Sequence, residues 1–191
     1  MNGLSSQLRE IQAIASAVAA TRPVAEILIF TPATLIEGAV QIAAGRIGIG
    51  GQDCDATISG AFTGDISAQM LKDAGACSVI VGHSERRQHH GETDAMVAAK
   101  ANAAWRAGLQ VILCIGETQS QRRDGRAFIR HCLELRLGAE GTEVRIFYGG
   151  SVKPSNAHEL LALPEVGGAL IGGASLKAAE FEAIIRAFSN T

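Results

Sequence analysis

The sequence predicts an α/β fold, in which the strands of a parallel sheet alternate with helices. Short apolar runs recur along the chain with turn-prone residues at their ends, and they are continuous rather than alternating, as is typical of parallel strands buried on both faces. Helical patterns and short connections lie between several of these runs. Polar motifs follow the ends of several different strands, which favours a closed barrel over an open sheet because barrel enzymes build their sites at that end.

Six apolar runs are expected to be the strands of this sheet. No linker or low-complexity segment interrupts the series, so residues 1–191 are expected to form a single domain. In chain order the predicted strands are EILIF (26–30), RIGIGGQD (46–53), SVIVGHSE (78–85), QVILCIGE (110–117), VRIFYGG (144–150) and GALIGGASL (168–176).

Helical patterns account for much of the remaining sequence. The pattern at 93–107 has Thr93 in place for an N-cap and Gly108 directly after its last turn, which are the residue types that begin and end helices. Trp105 on this helix is expected to pack in the core. The chain also opens on a helix before any strand has appeared. The other predicted helices are 4–20, 155–163 and 178–188.

Composition excludes several classes of function. The 191 residues carry a net charge of −2 and no long basic run, which argues against a nucleic-acid or membrane-surface role. No apolar stretch is long enough for a membrane span. The four cysteines show no metal-ligand spacing, and Cys77 and Cys114 are expected to be reduced, buried thiols. Because the first residues also lack a signal-peptide profile, we expect a cytoplasmic location.

Three motifs together carry a resemblance to a known family. VIVGHSERR (79–87), YGGSVKP (148–154) and GGASL (172–176) are highly specific in combination, and the sequence resembles the bacterial type of the triose-phosphate isomerase family along its whole length with one interruption. The resemblance implies homodimers of (β/α)8 (TIM) barrels without a cofactor. It also implies interconversion of dihydroxyacetone phosphate and glyceraldehyde 3-phosphate through an enediolate, a step of glycolysis and gluconeogenesis.

The resemblance assigns His83 as the electrophile that polarises the substrate carbonyl. This family is itself a familiar example of a neutral histidine that works with a glutamate base, and a neutral imidazole can donate its N–H to the developing oxyanion. Glu85 would be a supporting carboxylate near the site, or alternatively part of a salt bridge at the strand end with a nearby Arg or Lys. Arg86 is expected to form a structural ion pair with Glu92.

Two glycine loops are expected to bind the substrate phosphate. Gly149-Gly150-Ser151 and Gly172-Gly173-Ala174 each follow a late strand, where backbone N–H groups can approach an anion without an intervening Cβ. Barrel phosphate sites commonly lie after the last two strands. A single Gly-Gly pair usually marks only a tight turn, but two in consecutive units agree with the resemblance. We expect Ser151, Gly172 and Gly173 to be the phosphate ligands.

The remaining candidates concern assembly and metal binding. In the resembled family, the loop that corresponds to 52–64 reaches into the partner subunit, so Gln52, Phe62 and Thr63 are expected at a homodimer interface. His89-His90 resembles a metal pair, but no third ligand lies at usable spacing, and no metal is expected. His158 is expected on a helix surface.

The chain departs from the family pattern at two places. The family's first strand, with an Asn-x-Lys pair, has no counterpart. After GETQSQRRDGRA (116–127) the family continues through a sixth strand with the catalytic glutamate and a mobile lid, whereas here Ala127 joins Phe128 directly. Glu165, in the connection before the last strand, is not that base. The family fold takes about 250 residues, so we expect an incomplete barrel of six strands.

These departures leave two interpretations of function. The chain is a triose-phosphate isomerase that has little activity as it stands, or it is a catalytically inactive phosphate-binding or dimerising fragment of that family. A barrel for another sugar phosphate is disfavoured by GHSERR. The shortness itself has three explanations: residues omitted from the sequence, a truncated gene product, or a natural or deliberate deletion.

Overall fold

The structure is a computed structural model that describes residues 2–115, 125–163 and 166–189. The chain divides into two compact units, one made of Met1–Arg22 with Glu26–Gly116 and the other of Pro23–Ala25 with Glu117–Thr191. Residues 116 and 117 of the fourth predicted strand, and Glu165, lie outside the described residues. Each unit has its own elements and its own core.

The first unit contains a four-stranded parallel sheet in the order β1-β2-β3-β4. Its elements are α1 (Leu8–Thr21, after a 3-10 turn at Ser5–Gln7), β1 (Leu28–Thr31), α2 (Ile36–Ala43, after a 3-10 turn at Ala33–Leu35), β2 (Gly48–Gly51), α3 (Ala68–Asp73), β3 (Ser78–Val81), α4 (Ser84–His90), α5 (Asp94–Arg106) and β4 (Gln110–Leu113).

The register of the sheet brings the loops that follow the strands to one edge. Leu28 of β1 pairs with Gly48 of β2, and Ser78 of β3 pairs with Gln110 of β4. All four residues of β3 are buried, as the continuous apolar run predicts for a central strand. Parallel strands end on the same side, so the segments after Thr31, Gly51, Val81 and Leu113 share that side.

Strand β2 consists largely of glycine because its neighbours fill the space that side chains would need. A Cβ on Gly50 would lie 2.6 Å from the Phe30 ring and from Ser78 Oγ. Side chains from β1 and β3 therefore cover β2, although a strand interior normally disfavours glycine.

Helix α5 confirms the prediction for 93–107 and corrects one residue of it. The Thr93 hydroxyl accepts a hydrogen bond from the Met96 N–H at 3.3 Å and caps the helix. Val97, Ala101 and Ala104 are buried at helical spacing, so small residues form the packed face. Trp105 is 60% exposed, and its predicted core position is wrong because it lies beside that alanine face rather than on it.

The second unit consists mainly of helices. Buried Val152, Ala157, Leu161 and Ile184 form its core. The junction between Ala127 and Phe128 lies inside one helix of this unit. Its elements are α6 (Gly125–Leu137), α7 (Ala139–Glu143), α8 (Ala157–Leu161), a 3-10 turn (Gly173–Ser175) and α9 (Ala178–Ser189).

The last two predicted strands are represented by one parallel bridge. Tyr148 pairs with Ala169, with hydrogen bonds from Tyr148 N to Gly168 O and from Leu170 N to Tyr148 O, both at 2.9 Å. The described residues therefore contain four strands, where the sequence predicted six. Parallel strands are stable mainly inside larger covered sheets, and among the residues of this unit that the structure describes, no further strand lies beside this pair.

Two further observations concern the surface. Cys77 is exposed, so the prediction of a buried thiol is wrong there, because strand β3 and its burial begin one residue later. Cys114 is partly buried. Within the described ranges, none of the helices is long and apolar enough to cross a membrane.

Candidate active site

His83 lies at the end of β3, where the chain turns sharply into α4. The turn requires Gly82, which has a φ of 71°. A Cβ there would lie 2.8 Å from Val97 Cγ1 and 3.0 Å from the Cys114 carbonyl oxygen. A side chain at this position would be strained and would also clash. The tight turn leaves the His83 side chain partly exposed, with 37% of its surface accessible.

The hydrogen bonding of His83 fixes which ring nitrogen bears the proton. His83 occupies the N-cap position of α4, and its Nδ1 accepts a hydrogen bond from the Glu85 N–H at 3.3 Å. An imidazole nitrogen that accepts a hydrogen bond carries no proton. The neutral ring therefore has its proton on Nε2, and Nε2–H is the group that can donate to a ligand.

The Glu85 carboxylate points largely into solvent. Its side chain is 75% exposed, and Oε2 lies 4.0 Å from His83 Nδ1. An ion pair over that distance would need a proton on the nitrogen that already accepts from the Glu85 N–H. Among the described residues, no Arg or Lys forms a salt bridge with Glu85 at the strand end. The geometry therefore gives Glu85 a backbone contact to His83.

Arg87 ties the histidine turn to the neighbouring strand and helix. Its Nε donates to the Gly82 carbonyl at 2.9 Å, and its Nη2 donates to the Cys114 carbonyl at 3.3 Å. Its Nη1 lies 2.7 Å from Asp94 Oδ1, at the start of α5. One rigid guanidinium thus holds three segments around the turn. The sequence placed Arg87 in the motif but gave no signal for these carbonyl contacts.

A cluster of four charged side chains lies beside this turn. Glu92 Oε1 lies 2.6 Å from Arg86 Nε and 2.5 Å from Lys100 Nζ, so the predicted pair of Arg86 with Glu92 is confirmed. Asp53 Oδ2 lies 2.9 Å from Arg86 Nε and 2.7 Å from Lys100 Nζ. The two acids and two bases balance in charge. They join the segment after β2 to α4 and α5.

Burial and pairing compete at the two carboxyls of this cluster. Burial acts to raise the pKa of Glu92, but the hydrogen bonds and charges of Lys100 and Arg86 outweigh it and hold that pKa below its usual value. At Asp53 burial is the largest influence and raises the pKa. Both carboxyls have the same two cations at hydrogen-bond distance, but only at Glu92 do these contacts outweigh burial, so Glu92 is the carboxyl whose charged form the cluster favours.

The predicted dimer loop is closed at its base and exposed at its tip. Gln52 Nε2 donates to the Phe30 carbonyl at 3.0 Å, and Asp55 bridges to Ser67 in parallel fashion. Phe62 is 51% exposed and Thr63 is also exposed. Three apolar side chains near the loop in sequence are exposed as well, namely Ile58, Ile66 and Met70. The loop therefore presents apolar side chains to solvent from an anchored base.

The two glycine loops lie together in the second unit. Each follows the parallel bridge between Tyr148 and Ala169, so both leave it on the same side. A Cβ on Gly149, Gly172 or Gly173 would meet no atom within 4 Å. Packing inside the described parts of the chain therefore does not explain these glycines. Bare, exposed backbone of this kind is suited to an anion.

The predicted site residues form two groups, one in each unit. His83, Glu85 and the loop with Gln52, Phe62 and Thr63 belong to the first unit. Ser151, Gly172 and Gly173 belong to the second unit.

The remaining histidines show no metal-binding arrangement. His89 and His90 are exposed at the end of α4, and His158 is exposed on α8 as predicted. Across the described residues, no cluster of three or more His, Cys, Asp or Glu side chains is suited to hold a metal ion.

Comparisons with known proteins identify relatives over nearly the whole chain. The sequence model of the family described as "Triosephosphate isomerase" matches residues 1–128 and 124–188. The triosephosphate isomerase of Rhodopseudomonas palustris (strain BisA53) is 47% identical over 234 residues, which cover 96% of this chain and 92% of the relative. The triosephosphate isomerase of Caulobacter vibrioides is 47% identical over 235 residues, which cover 98% of this chain and 93% of that relative.

A solved structure agrees with these relatives. The crystal structure of triosephosphate isomerase from Bartonella henselae has a TM-score of 0.90 and 43% sequence identity, and the match covers 98% of this chain and 95% of that chain. The fold is therefore that of a TIM-barrel relative, with an α/β architecture and a parallel sheet.

The match to the Rhodopseudomonas palustris protein extends over 234 residues, whereas this chain has 191. The relatives thus carry residues inside the matched region that this chain lacks. From the family match and these identities, the chain belongs to the triosephosphate isomerase family.

Proposed function

We propose that the chain acts as a triose-phosphate isomerase, interconverting dihydroxyacetone phosphate and glyceraldehyde 3-phosphate through an enediolate. The observation that carries this proposal is the fixed tautomer of His83, whose Nε2–H is left free to donate at the end of β3. Membership of the triosephosphate isomerase family supports it. The reaction moves a proton between adjacent carbons, so it needs no cofactor.

His83 is the electrophile of this reaction. When a base removes the proton from the carbon beside the carbonyl, negative charge develops on the carbonyl oxygen, and Nε2–H donates a hydrogen bond to it. A donor positioned before the reaction costs no reorganisation as the charge develops. Glu85 holds the ring by its backbone N–H, and we give its exposed carboxylate a supporting part only.

The substrate phosphate is bound by the backbone of the two glycine loops in the second unit. The N–H groups of Ser151, Gly172 and Gly173 are the proposed ligands. The exposed, unhindered backbone at Gly172 and Gly173 supports this assignment, because such backbone can surround a phosphate closely.

We propose that a family segment is missing at the junction between Ala127 and Phe128, and that residues 1–191 otherwise belong to a single barrel domain. The two parts of the family match meet at 124–128, which supports this position. In the resembled family that segment contains the glutamate base and the lid. The 191-residue chain is therefore expected to have little activity, since loss of a positioned base alone costs roughly 10²–10⁴-fold.

A homodimer in the cytoplasm is also proposed. The anchored loop with exposed Phe62 and Thr63, flanked by Ile58, Ile66 and Met70, supports a protein contact there, because clustered exposed apolar side chains mark interaction surfaces. The four cysteines are free thiols, which suits a reducing compartment. Sedimentation of the chain and of its Phe62→Lys variant tests the dimer. If the loop forms the interface, the variant should dissociate more readily than the unsubstituted chain.

The test of the proposed function combines binding and turnover. We expect the purified chain to bind 2-phosphoglycolate, a phosphorylated mimic of the enediolate, and to turn over glyceraldehyde 3-phosphate slowly. His83→Gln is expected to lower the residual turnover, whereas His158→Gln, at an exposed position on α8, should not. Binding with no turnover supports the second candidate, an inactive phosphate-binding fragment. The absence of both would refute both candidates.

A further inference from the structure

A loop that binds a phosphate through its backbone must present N–H groups and turn its carbonyl oxygens away. A carbonyl oxygen carries partial negative charge and repels an anion at short range. In a trans peptide the carbonyl of one residue and the N–H of the next point in opposite directions. Whatever holds a carbonyl back therefore also aims the following N–H outward. Each glycine loop of the second unit contains a side chain that holds a carbonyl back, and in the second loop the N–H that follows is the proposed ligand Gly173 N–H.

Asn156 holds the backbone of the first loop at two points. Its Nδ2 donates to the Ser151 carbonyl at 3.1 Å, and its Oδ1 accepts from the Lys153 N–H at 2.8 Å. A single planar amide thus spans the segment from Ser151 to Lys153. The Ser151 carbonyl, on the same residue as one of the proposed ligand N–H groups, is occupied by this bond.

The orientation of Asn156 is unusual for its place in the chain. It occupies the N-cap position of α8 (Ala157–Leu161), yet its side chain makes no cap hydrogen bond to that helix. An asparagine there usually accepts from the first turn of its helix and stabilises it by about 1 kcal/mol. Here the amide turns back to the loop instead, so its hydrogen bonds organise the loop rather than the helix.

Ser175 does the equivalent in the second loop. Its Oγ donates to the Gly172 carbonyl at 2.7 Å, and its own N–H donates to the same oxygen at 2.9 Å. Both lone pairs of that carbonyl are engaged within the loop. The N–H of Gly173, on the other side of the same peptide plane, then points away from Ser175.

The backbone N–H groups of the two glycine loops are available to bind an anion. Within the described part of the second unit, no hydrogen bond is donated by the backbone N–H of Gly149, Gly150, Ser151, Gly172 or Gly173. Ser151, Gly172 and Gly173 are exposed. Each loop therefore combines an engaged carbonyl with available N–H groups.

We propose that Asn156 and Ser175 are positioning residues of the phosphate site, acting through the backbone of Ser151 and Gly173 without touching the ligand. The inference rests on the proposed function, because it takes the two glycine loops as the phosphate-binding part of that site. It explains why the loops would bind phosphate tightly, which the absence of side chains at the glycines does not explain by itself. The loops bind because side chains behind them set the direction of their peptide planes, an arrangement that preorganises the site before ligand arrives.

The test measures the affinity of the full chain for 2-phosphoglycolate by calorimetry, together with its thermal unfolding without ligand. Asn156→Ala and Ser175→Ala are each expected to weaken binding roughly 5- to 30-fold, the factor that one or two kcal/mol represents. Ser175→Thr keeps the hydroxyl and should restore affinity. Ser155→Ala removes an exposed hydroxyl from the same turn as Asn156 and should bind like the unsubstituted chain.

A second variant keeps the test decisive if Asn156→Ala does not fold. Asn156→Ser retains a residue that begins helices well but is too short to span both backbone groups, so it should also lose affinity. Unchanged affinity in a folded Asn156 variant and in Ser175→Ala overturns the positioning role while leaving the proposed function intact. A lower unfolding temperature with unchanged affinity means a merely structural role and overturns it too. No binding by the unsubstituted chain overturns the phosphate loops themselves.

Discussion

The backbone N–H of Glu85 donates a hydrogen bond to Nδ1 of His83 at 3.3 Å. Glu85 belongs to α4, the helix that begins directly after His83. The end of β3 and the start of α4 therefore together determine which nitrogen of the ring bears the proton. A neutral His83 is left with its proton on Nε2. The motif GHSE thus supplies both the proposed electrophile and the N–H group that selects its tautomer.

The tautomer of His83 is the first prediction. At mildly alkaline pH, ¹⁵N spectra of the imidazole should show a protonated Nε2 and an unprotonated Nδ1. His158, which is exposed on α8, is the internal comparison, because it has no such backbone contact in the described chain. Observation of the Nδ1–H tautomer at His83 would contradict the geometry.

Removal of the Glu92 charge should destabilise the first unit. Glu92→Gln leaves Arg86 and Lys100 with one carboxylate between them, and breaking a buried pair typically costs 3–5 kcal/mol. Because Lys100 keeps Asp53 at 2.7 Å, we expect the lower end, about 3 kcal/mol. Urea unfolding measures the change. Glu159→Gln, at an exposed position of α8, is the matched control and should change stability by less than about 0.5 kcal/mol.

The pH dependence of stability follows from the lowered pKa of Glu92. Unfolded Glu92 has a pKa of about 4.3, so below that value the unfolded chain binds a proton more readily than the folded chain. The contribution of Glu92 is therefore present above about pH 5 and is lost as the pH falls through the folded value.

The pKa of Asp53 is raised, so its contribution to the pH dependence has the opposite sign to that of Glu92. Comparing the chain with its Glu92→Gln variant isolates the contribution of Glu92. Unfolding free energies of the chain and of Glu92→Gln, measured from neutral to acid pH, should converge as the pH falls. A difference that stays constant down to the acid limit would show that Glu92 is not held ionised by Lys100 and Arg86.

The cysteines should differ strongly in reactivity. Cys54 is buried, and burial, followed by the charge of Asp53, raises its pKa to about 11. Cys77 is exposed. Because the thiolate is the reactive form, iodoacetamide near neutral pH should alkylate Cys77 well before Cys54, as followed by peptide mass spectrometry. Faster alkylation of Cys54 in the folded chain would refute the described burial.

Much of the fold of the first unit could be predicted from local pattern. The predicted strand at 78–85 is found as Ser78–Val81, and the helix at 93–107 as Asp94–Arg106. In both cases the signal was a long apolar or periodic run with a clear end. The strand prediction continued too far at 82–85, because Gly82 turns the chain and α4 begins immediately after His83.

Other features depend on contacts between distant parts of the chain. Lys100 lies among the buried alanines of α5, where its residue type alone suggests a surface side chain. Its ammonium is buried because it contacts the carboxylate of Asp53, 47 positions away in the sequence. The last two predicted strands have strong apolar patterns, but a parallel pair needs neighbouring strands. In the described part of the second unit these two runs form a single bridge, between Tyr148 and Ala169. The orientation of Asn156 toward Ser151 likewise follows from the loop geometry rather than from residue type.

The most direct test of the account is the turnover of glyceraldehyde 3-phosphate by the purified 191-residue chain, measured beside the Rhodopseudomonas palustris relative. We propose that this chain contains the polarising histidine and the phosphate loops, and that the base belongs to a family segment missing after Ala127. We therefore predict a rate lower by at least roughly 10²-fold, as loss of a positioned base requires. A rate equal to that of the relative would contradict it.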